Sequence, residues 1–302
     1  MTRRLLITGG SGLLGVNWAR AASSGHEIIL GIHSRNIDTP GFRTARLSLE
    51  SPEAVGRTLD DLRPDVVVHT AGLTNVEACE ADPGLARRIN VELSEHVAKA
   101  CAKRGLQMVH ISTDHLFAGD GSMLDETCAP APLNVYGRTK AEAEAKVMAS
   151  HGGALVVRTN FYGWGTSYRQ SFSDWIIQGL RARKELTLFG DVHFTPILAE
   201  TLVNAVHELV EKAQSGIVNV VGDTRISKLG FAQMLAETFT LDASLIKAGN
   251  LADMPTTVRR PRDMSLSNAK ARALLGRNLG GIDGHLAALK QQEANMTKRL
   301  SV

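Results

Sequence analysis

Cysteine is scarce in this chain, and long apolar runs are absent from it. The 302 residues include three cysteines, Cys79, Cys101 and Cys128, which are odd in number and lack metal-ligand spacing. They favour a reduced, cytoplasmic setting, and no metal site is predicted. The apolar runs are far shorter than a bilayer span, so no membrane partner is expected. The first run, 5–7, is typical of a strand rather than a signal peptide.

Charge of one sign is also lacking. The chain has 34 Lys and Arg against 31 Asp and Glu, and its net charge of +3 is spread along the sequence. No nucleic-acid partner is therefore expected. Hydrophobic residues at 43% and charged residues at 22% are ordinary for a globular protein. A chain of this length can bury a large core in one big domain or in two.

Glycines, in contrast, are regularly spaced near the start of the chain. Gly9, Gly12 and Gly15 follow the short apolar strand and lead into a helix-like segment, 14–22. Strand, glycine turn and helix predict a dinucleotide site, with an ordinary strand-to-helix turn as the alternative. Such glycines allow a tight turn, backbone approach to a pyrophosphate and close helix packing, and the helix N-terminus favours phosphate. The predicted cofactor contacts here are Gly9, Gly12, Leu13, Leu14 and Gly15.

A tyrosine and a lysine four residues apart, Tyr136 and Lys140, lie in a stretch followed by helix formers. Both side chains should therefore share one face of a helix, 135–150. A lysine beside a tyrosine favours the phenolate, while burial alone opposes it. The pair predicts a tyrosine that exchanges a proton with a carbonyl or an alcohol, with a surface tyrosine and lysine as the alternative.

Strands and helices alternate along the chain. Strands are predicted at 5–7, 27–33, 45–49, 64–71, 108–112, 154–158 and 216–221, and helices at 14–22, 85–103, 135–150, 171–183, 199–212, 227–239, 267–275 and 283–298. Nearly continuous apolar strands between helices imply a parallel sheet that is covered on both faces. The predicted fold class is α/β, a Rossmann-type doubly wound parallel sheet with a smaller α/β substrate-binding lobe.

The order of elements also predicts how the chain divides. Residues 1–158 should form the NADP-binding Rossmann domain, and 195–221 should return to it. Residues 159–194 and 222–302 should form mostly the substrate-binding lobe, because the alternation of strand and helix loosens beyond Thr159.

The end of the second predicted strand bears on the choice of cofactor. An acid there would bind the ribose hydroxyls of NAD, but this chain has His33, Ser34 and Arg35 and no acid before Asp38. Arg35 can form charge-assisted hydrogen bonds with the 2′-phosphate of NADP, although a solvated loop arginine is the alternative. We therefore predict NADP(H) as the preferred cofactor, in contact with these three residues, with NAD(H) as the alternative.

Five further stretches accompany these motifs. They are 70–77, Thr-Ala-Gly-Leu-Thr-Asn-Val-Glu; 110–119, His-Ile-Ser-Thr-Asp-His-Leu-Phe-Ala-Gly; 134–140, Asn-Val-Tyr-Gly-Arg-Thr-Lys; 157–160, Val-Arg-Thr-Asn; and 259–261, Arg-Arg-Pro. Together with the glycine turn, they resemble the extended short-chain dehydrogenases/reductases and, more narrowly, the dTDP-4-dehydrorhamnose reductase family. The resemblance covers essentially the whole chain.

The resemblance implies a reaction and a site. The family reduces the C4 keto group of a nucleotide-linked 6-deoxyhexose. By this resemblance Thr113 would hydrogen-bond the carbonyl, Tyr136 would donate the proton, and Lys140 would hold the nicotinamide ribose. The resemblance also implies cofactor contacts by Thr70, Ala71, Gly72, Asn90, Tyr136 and Lys140. The implied substrate contacts are Thr74, Val76, Asp114, His115, Asn160, Phe161 and Arg260. The implied partner is a nucleotide sugar, and a homodimer is the expected assembly.

Departures from the family pattern leave the sugar and the nucleotide open. His115 stands where the family has a tyrosine, so one aromatic hydroxyl at the substrate is missing. Asn160 and Phe161 replace a Ser-Trp pair, and 191–196 replaces a segment commonly written with Asp-Gln and Pro-Thr. Glu126 lies where the family has an acid, but no cluster of ligands accompanies it, and no metal is predicted.

Two other interpretations of these motifs are open. One is an epimerase or dehydratase of the same superfamily; dehydratases usually carry a second acid after the catalytic threonine, where this chain has His115. The other is an NADP-binding regulatory protein that resembles the beta subunit of methionine adenosyltransferase. The intact Thr113, Tyr136 and Lys140 favour an enzyme, and the predicted function is NADPH-dependent reduction of a nucleotide-linked 4-keto-6-deoxy sugar.

Overall fold

A parallel sheet forms the centre of the molecule. The structure, a computed structural model, describes residues 2–22, 24–37, 41–166, 168–253 and 258–300, and of 295–300 the backbone alone. Its strands are β1 (Arg3–Thr8), β2 (His26–Ile32), β3 (Arg43–Arg46), β4 (Val66–His69), β5 (Gln107–Ile111), β6 (Leu155–Arg158), β7 (Phe161–Tyr162), β8 (Leu186–Phe189), β9 (His193–Phe194), β10 (Ile197–Leu198), β11 (Gly216–Asn219), β12 (Ile226–Ser227) and β13 (Ile246–Gly249). The central sheet has the order β11-β6-β5-β4-β1-β2-β3, with every neighbouring pair parallel. The predicted Rossmann-type fold is confirmed.

Helices connect these strands. They are α1 (Leu13–Ala22), α2 (Pro52–Leu62), α3 (Val76–Ala81), α4 (Pro83–Arg87), α5 (Leu93–Arg104), α6 (Val135–Ser150), α7 (Phe172–Arg181), α8 (Ala199–Glu211), α9 (Lys228–Thr238), α10 (Ala269–Leu275) and α11 (Ile282–Leu300). The single helix predicted at 85–103 is α4 and α5 joined by a π-helical turn, Arg88–Glu92. No helix in the described part of the chain is long and apolar enough to cross a bilayer.

Alternation along the strands explains how both faces of the sheet are covered. Leu5 and Ile7 of β1 belong to an apolar cluster with α1, α8 and α10. Leu6, between them, belongs to a cluster with α2 and α5 on the opposite face. Successive side chains of a strand point to opposite faces, so an uninterrupted apolar strand is expected where a sheet is buried on both sides.

A second apolar core lies beside the sheet. It is built mainly from α7, α9 and α11 with short strands, and it contains aromatic side chains such as Tyr162, Phe194 and Phe231. The short strands pair as β10 with β7, β12 with β9 and β13 with β8. α7 begins with a capping box, in which Ser171 and Asp174 each accept a hydrogen bond from the other's backbone N–H.

Later parts of the chain return to the sheet. β11 pairs with β6, and α8 packs on α1. α10 also contacts α8 and β11, and its Ala271 and Leu275 belong to the core on that face. The segment 222–302, predicted to lie mostly in the smaller lobe, thus contributes to both cores. The division of the chain into domains stays a prediction.

Candidate active site

A large cavity lies at the carboxyl ends of the parallel strands, where open α/β sheets bind ligands. This main cavity has a volume of about 640 Å³. The predicted residues that line it are Gly9, Gly12, Leu13, Leu14, His33, Ser34, Arg35, Thr70, Ala71, Gly72, Thr74, Val76, Thr113, Asp114, His115, Tyr136, Lys140, Asn160, Phe161 and Arg260. Two of the predicted contacts, Gly15 and Asn90, lie outside the lining.

The turn between β1 and α1 forms one end of the main cavity, the glycine end. Gly9 has φ +69°, and a Cβ there would lie 2.8 Å from the backbone of Ala71. A Cβ on Gly15 would lie 2.7 Å from the carbonyl oxygen of Gly9. Both positions require glycine, Gly9 for its left-handed backbone and Gly15 for the packing of α1 on the turn. Gly15 therefore shapes the turn from behind and does not face the cavity.

The segment after β2 contributes exposed polar side chains to the glycine end. His33, Ser34 and Arg35 line the cavity there. Arg46 holds the segment in place by donating a hydrogen bond to the carbonyl oxygen of His33 at 3.1 Å. The lining contains no acid at this end among the described residues, and Asp38 lies outside those residues. The charged side chain in the lining after β2 is therefore the positive guanidinium of Arg35.

The loop after β4 is fixed from behind by Asn90. The Asn90 side chain accepts from the N–H of Leu73 (2.7 Å) and donates to the Leu73 carbonyl (3.0 Å) and to the Thr139 hydroxyl (3.0 Å). Asn90 is 1% exposed and lies behind the cavity lining, so its contact with the cofactor stays a prediction. It supports residues 70–72, which line the cavity as predicted.

Tyr136 and Lys140 both lie on α6 and line the cavity. The helix begins at Val135 because the Asn134 side chain caps it, accepting from the Gly137 N–H at 2.9 Å. Burial raises the pKa of Tyr136 to about 12, against a smaller opposing effect of a hydrogen bond with Thr113. The phenol is thus held in the protonated form, which can donate a proton.

Lys140 reaches from the same helix to the end of β5. Its Nζ donates to the carbonyl oxygen of Ile111 at 2.7 Å. Burial lowers the pKa of Lys140 to about 8, while the carboxylate of Glu144, one turn further along α6, acts in the opposite direction. Lys140 is therefore charged below that pH and shares the cavity lining with Tyr136.

The loop after β5 brings Thr113 and Asp114 to the cavity. Asp114 is 1% exposed and accepts from the Thr113 hydroxyl (3.2 Å) and the Asn160 amide (2.5 Å). The Thr113 oxygen also accepts from the N–H of His115 at 3.3 Å. These two bonds are long, and therefore weak, and the hydroxyl of Thr113 also bonds the phenol of Tyr136, so it lies beside the proton donor.

His115 lies against the ring of Tyr136. The two ring centroids are 5.6 Å apart and the planes meet at 72°, which is an edge-to-face contact. Burial lowers the pKa of His115, while the charge of Asp114 opposes this. Its Nδ1 is buried and has no hydrogen-bond partner among the described residues. The lowered pKa favours the neutral imidazole, which lines the cavity beside Tyr136.

Two arginines bring positive charge to the cavity lining. Arg260, predicted as a substrate contact, forms an ion pair with Glu77. Arg169 donates to the hydroxyl of Thr74 at 2.7 Å. The ion pair offsets part of the charge of Arg260, whereas the neutral partner of Arg169 leaves its charge for an anionic ligand.

The lining also contains residues that were not predicted from the sequence, namely Ser11, Ile111, Ser112, Thr159 and Arg169. The hydroxyls of Ser112 and Thr159 are buried without a partner among the described residues. Both residues directly follow strand ends, so the rule that places ligands there could have identified them. No sequence signal marked Arg169. In the described part of the chain, no three His, Cys, Asp or Glu side chains are grouped to hold a metal ion.

Comparison with known proteins identifies the family. The family model described as the RmlD substrate binding domain matches residues 3–293. The probable low-salt glycan biosynthesis reductase Agl14 of Haloferax volcanii is 30% identical over 291 residues, 94% of this chain and 96% of that protein. The dTDP-4-dehydrorhamnose reductase of Escherichia coli is 30% identical over 280 residues, 88% of this chain and 90% of that protein.

A solved structure shows the same fold. The dTDP-4-dehydrorhamnose reductase of Bacillus anthracis, in complex with NADP, superposes with a TM-score of 0.85 at 23% identity, over 97% of this chain and 100% of that chain. The resemblance predicted from the motifs is confirmed, and the chain belongs to the dTDP-4-dehydrorhamnose reductase (RmlD) family.

Proposed function

We propose that this protein reduces the C4 keto group of a nucleotide-linked 4-keto-6-deoxy sugar with NADPH. The observation that carries the proposal is the main cavity, in which the glycine end and Thr113, Tyr136 and Lys140 share one space. The relatives from E. coli and B. anthracis are dTDP-4-dehydrorhamnose reductases, and the structure of the second contains NADP. The family and the arrangement of the residues support the same reaction.

The glycine end fits the phosphates of a dinucleotide. A Cβ on Gly12 would lie 3.0 Å from the carbonyl oxygen of Gly9, so a larger residue would fill the space over the turn. The N-terminus of α1 follows at Leu13 and offers free N–H groups to an anion. Arg35 supplies a charge suited to the 2′-phosphate. Further along the cavity, after β5 and β6, the hydroxyls of Ser112 and Thr159 have no partner among the described residues and can contact the rest of the cofactor.

NADPH, when bound, would supply a hydride to C4 of the sugar, and residues of the chain supply the proton to the C4 oxygen. Tyr136 donates its phenolic proton to the carbonyl oxygen of the sugar, and Thr113 donates a hydrogen bond to the same oxygen as negative charge develops there. Lys140 stabilises the phenolate that is left. His115 packs edge-to-face against the ring of Tyr136 and helps to orient it.

Residues from the central sheet region and from later in the chain supply groups for the nucleotide sugar. Its diphosphate is anionic, and the guanidinium groups of Arg169 and Arg260 in the lining suit such a group. Asn160 and His115 lie beside the catalytic residues and offer an amide and an imidazole to sugar hydroxyls. His115 and Asn160 differ from the family pattern, so we place the selection of the sugar at these two residues.

The test is NADPH oxidation with a panel of nucleotide sugars. The panel varies the base (thymidine or uridine diphosphate) and the sugar (4-keto-6-deoxy or the matching 4-hydroxy form) independently. Oxidation of NADPH by at least one keto sugar, with formation of the alcohol, is expected. Binding of NADPH without turnover of any keto sugar would contradict the proposal and favour a regulatory protein. An epimer formed without net oxidation of NADPH would favour an epimerase.

The pKa of Lys140 predicts a pH dependence of this activity. Because the pKa of this base is lowered to about 8, Lys140 is charged below that pH and loses its charge as the pH rises through it. We expect kcat/KM to fall on the basic side with an apparent pKa near 8, since Tyr136, with its pKa of about 12, stays protonated there. Lys140→Met should lower kcat/KM and abolish this fall at high pH, the basic limb of the pH profile.

Lys228 provides the control for this pH profile. Burial lowers the pKa of Lys228 to about 8 as well, with the charge of Asp114 opposing. The basic limb should persist in Lys228→Met. If the limb disappears in that variant and persists in Lys140→Met, the titrating group is Lys228 and the role of Lys140 is wrong.

Arg35 is expected to determine the preference for NADPH. Arg35→Asp removes a charge-assisted contact and adds repulsion toward the 2′-phosphate, so the Kd of NADPH should rise by about 10- to 150-fold. The Kd of NADH should change far less. Arg57→Asp, an exposed position on α2 with the same change of net charge, is the control and should affect neither. Equal affinity of the unaltered protein for NADPH and NADH would contradict the prediction.

A further inference from the structure

A tight turn in the second half of the chain reaches the glycine end of the main cavity. Thr166 and Arg169 pair across it, with the Thr166 N–H donating to the Arg169 carbonyl (2.9 Å) and the Arg169 N–H donating to the Thr166 carbonyl (3.2 Å). This bridging turn comprises the described residues 165, 166 and 168–170. Arg169 lines the cavity and bonds Thr74, so one side of the bridging turn already touches the site.

A buried carboxylate holds the base of the bridging turn. Asp174 is 2% exposed, and its Oδ2 accepts from the N–H of Gly165 (2.6 Å) and from that of Ser171 (2.8 Å). A Cβ on Gly165 would collide with the same carboxylate oxygen. Hydrogen bonds to a charged acceptor are strong, so the rigid start of α7 determines the position of the bridging turn.

Tyr168, at the tip of the bridging turn, contacts two separate parts of the glycine end. Its hydroxyl donates to the carbonyl oxygen of Ser11, in the turn after β1, at 2.7 Å. The guanidinium carbon of Arg35, in the segment after β2, lies 4.3 Å from the centroid of the Tyr168 ring. A guanidinium held over a ring by a cation–π contact can still direct its N–H donors to a phosphate.

We propose that Tyr168 is a positioning residue: its ring holds the Arg35 guanidinium where the 2′-phosphate of NADP binds. Tyr168 thereby contributes to the selection of NADP over NAD. This inference rests on the proposed function, in which Arg35 binds that phosphate. An unsupported arginine loses rotamer freedom when it engages a phosphate. A ring that already holds the guanidinium removes part of this cost before the cofactor arrives, and NAD, without the phosphate, gains nothing from it.

Calorimetric titration of the whole protein with NADPH and with NADH tests the proposal without any sugar substrate. Tyr168→Ala should raise the Kd of NADPH by about three- to fivefold, the size of an exposed cation–π contact, and should change the Kd of NADH much less. Tyr168→Phe keeps the ring and loses the bond to Ser11, so its effect should be smaller. If Tyr168→Ala raises the Kd of NADPH and the Kd of NADH by the same factor, the proposal is overturned, because Tyr168 would then have only a general structural role.

A double-mutant cycle with Arg35 separates this inference from the proposed function. If Tyr168 acts through Arg35, adding Tyr168→Ala to Arg35→Ala should cause no further loss of NADPH affinity. Full additivity of the two changes would overturn the role of Tyr168, while a selective loss of NADPH affinity in Arg35→Ala alone would leave the cofactor assignment standing. If Arg35→Ala retains full NADPH affinity, both the Arg35 contact and the inference fail.

A matched aromatic residue controls for the loss of exposed ring surface. Trp175 on α7 is 41% exposed, close to the 40% of Tyr168, and it lies outside the cavity lining. Trp175→Ala should leave the ratio of the NADPH and NADH dissociation constants unchanged. A shift of that ratio equal to the shift in Tyr168→Ala would overturn the specific role of Tyr168.

Discussion

Replacing Tyr136 with phenylalanine should lower kcat by about 10²- to 10⁴-fold, the usual cost of losing a general acid. The ring is retained, so the edge-to-face contact with His115 should survive. NADPH affinity should be nearly unchanged, because the phosphate contacts lie at the glycine end. Both quantities are measurable with the best substrate of the panel, kcat by steady-state kinetics and Kd by titration. Near-normal turnover in this variant would exclude Tyr136 as the proton donor.

Tyr162 offers a matched control for the loss of a phenolic hydroxyl. It is 2% exposed, lies outside the lining of the main cavity, and its hydroxyl has no hydrogen-bond partner among the described residues. Removing an unpaired buried hydroxyl while keeping the ring should be neutral or stabilising. Tyr162→Phe should therefore keep the kcat of the unaltered protein, and its melting temperature should not fall.

Glu144→Ala should lower the free energy of unfolding by about 3–5 kcal/mol, the cost of breaking a buried ion pair by removing one partner. The side chains of Glu144 and Arg158 are 4% and 2% exposed. Arg158 donates from Nε to both carboxylate oxygens (3.0 and 3.1 Å) and from Nη2 to one of them (2.7 Å). The variant leaves the guanidinium buried without a counter-charge, and urea unfolding measures the loss.

An exposed ion pair on the same helix provides the comparison. Glu142 bonds Arg87 at 2.7 Å, but the two side chains are 39% and 48% exposed. Glu142→Ala should therefore cost less than about 1 kcal/mol. If Glu144→Ala and Glu142→Ala lower the free energy of unfolding by similar amounts, burial does not increase the contribution of the Glu144–Arg158 pair to stability. Because the Glu144 charge raises the pKa of Lys140, Glu144→Ala should also shift the basic limb of the pH profile to lower pH.

Local patterns were sufficient to predict the sheet and much of the site. The valines at 66–68 predicted a buried parallel strand, and they form β4 with neighbours on both sides. The spacing of Gly9 and Gly15 predicted a turn against which a helix packs, and the close backbone approaches at both positions explain the requirement. Tyr136 and Lys140 line one cavity because the cap at 134 starts a regular helix, in which residues four apart share a face.

Contacts between distant segments could not be predicted in the same way. Arg169 and Thr74 are 95 residues apart in the sequence, and Arg260 and Glu77 are 183 apart. No local pattern records which charges the fold will bring together, so the ion pair of Arg260 was not foreseen. The π-helical turn at 88–92 has the composition of a continuous helix, so the interruption between α4 and α5 was not apparent either.

The hydrogen bonds of Asn90 connect the loop after β4 to α6, the helix that carries Tyr136 and Lys140. On one side Asn90 bonds Leu73, next to residues 70–72 of the cavity lining, and on the other it bonds Thr139, the residue directly before Lys140. Any shift of this single side chain is therefore transmitted to both. Under the proposed function, the nicotinamide would lie over the loop after β4 and the proton donor on α6, so the alignment of the two would depend on the bonds that Asn90 makes to both elements.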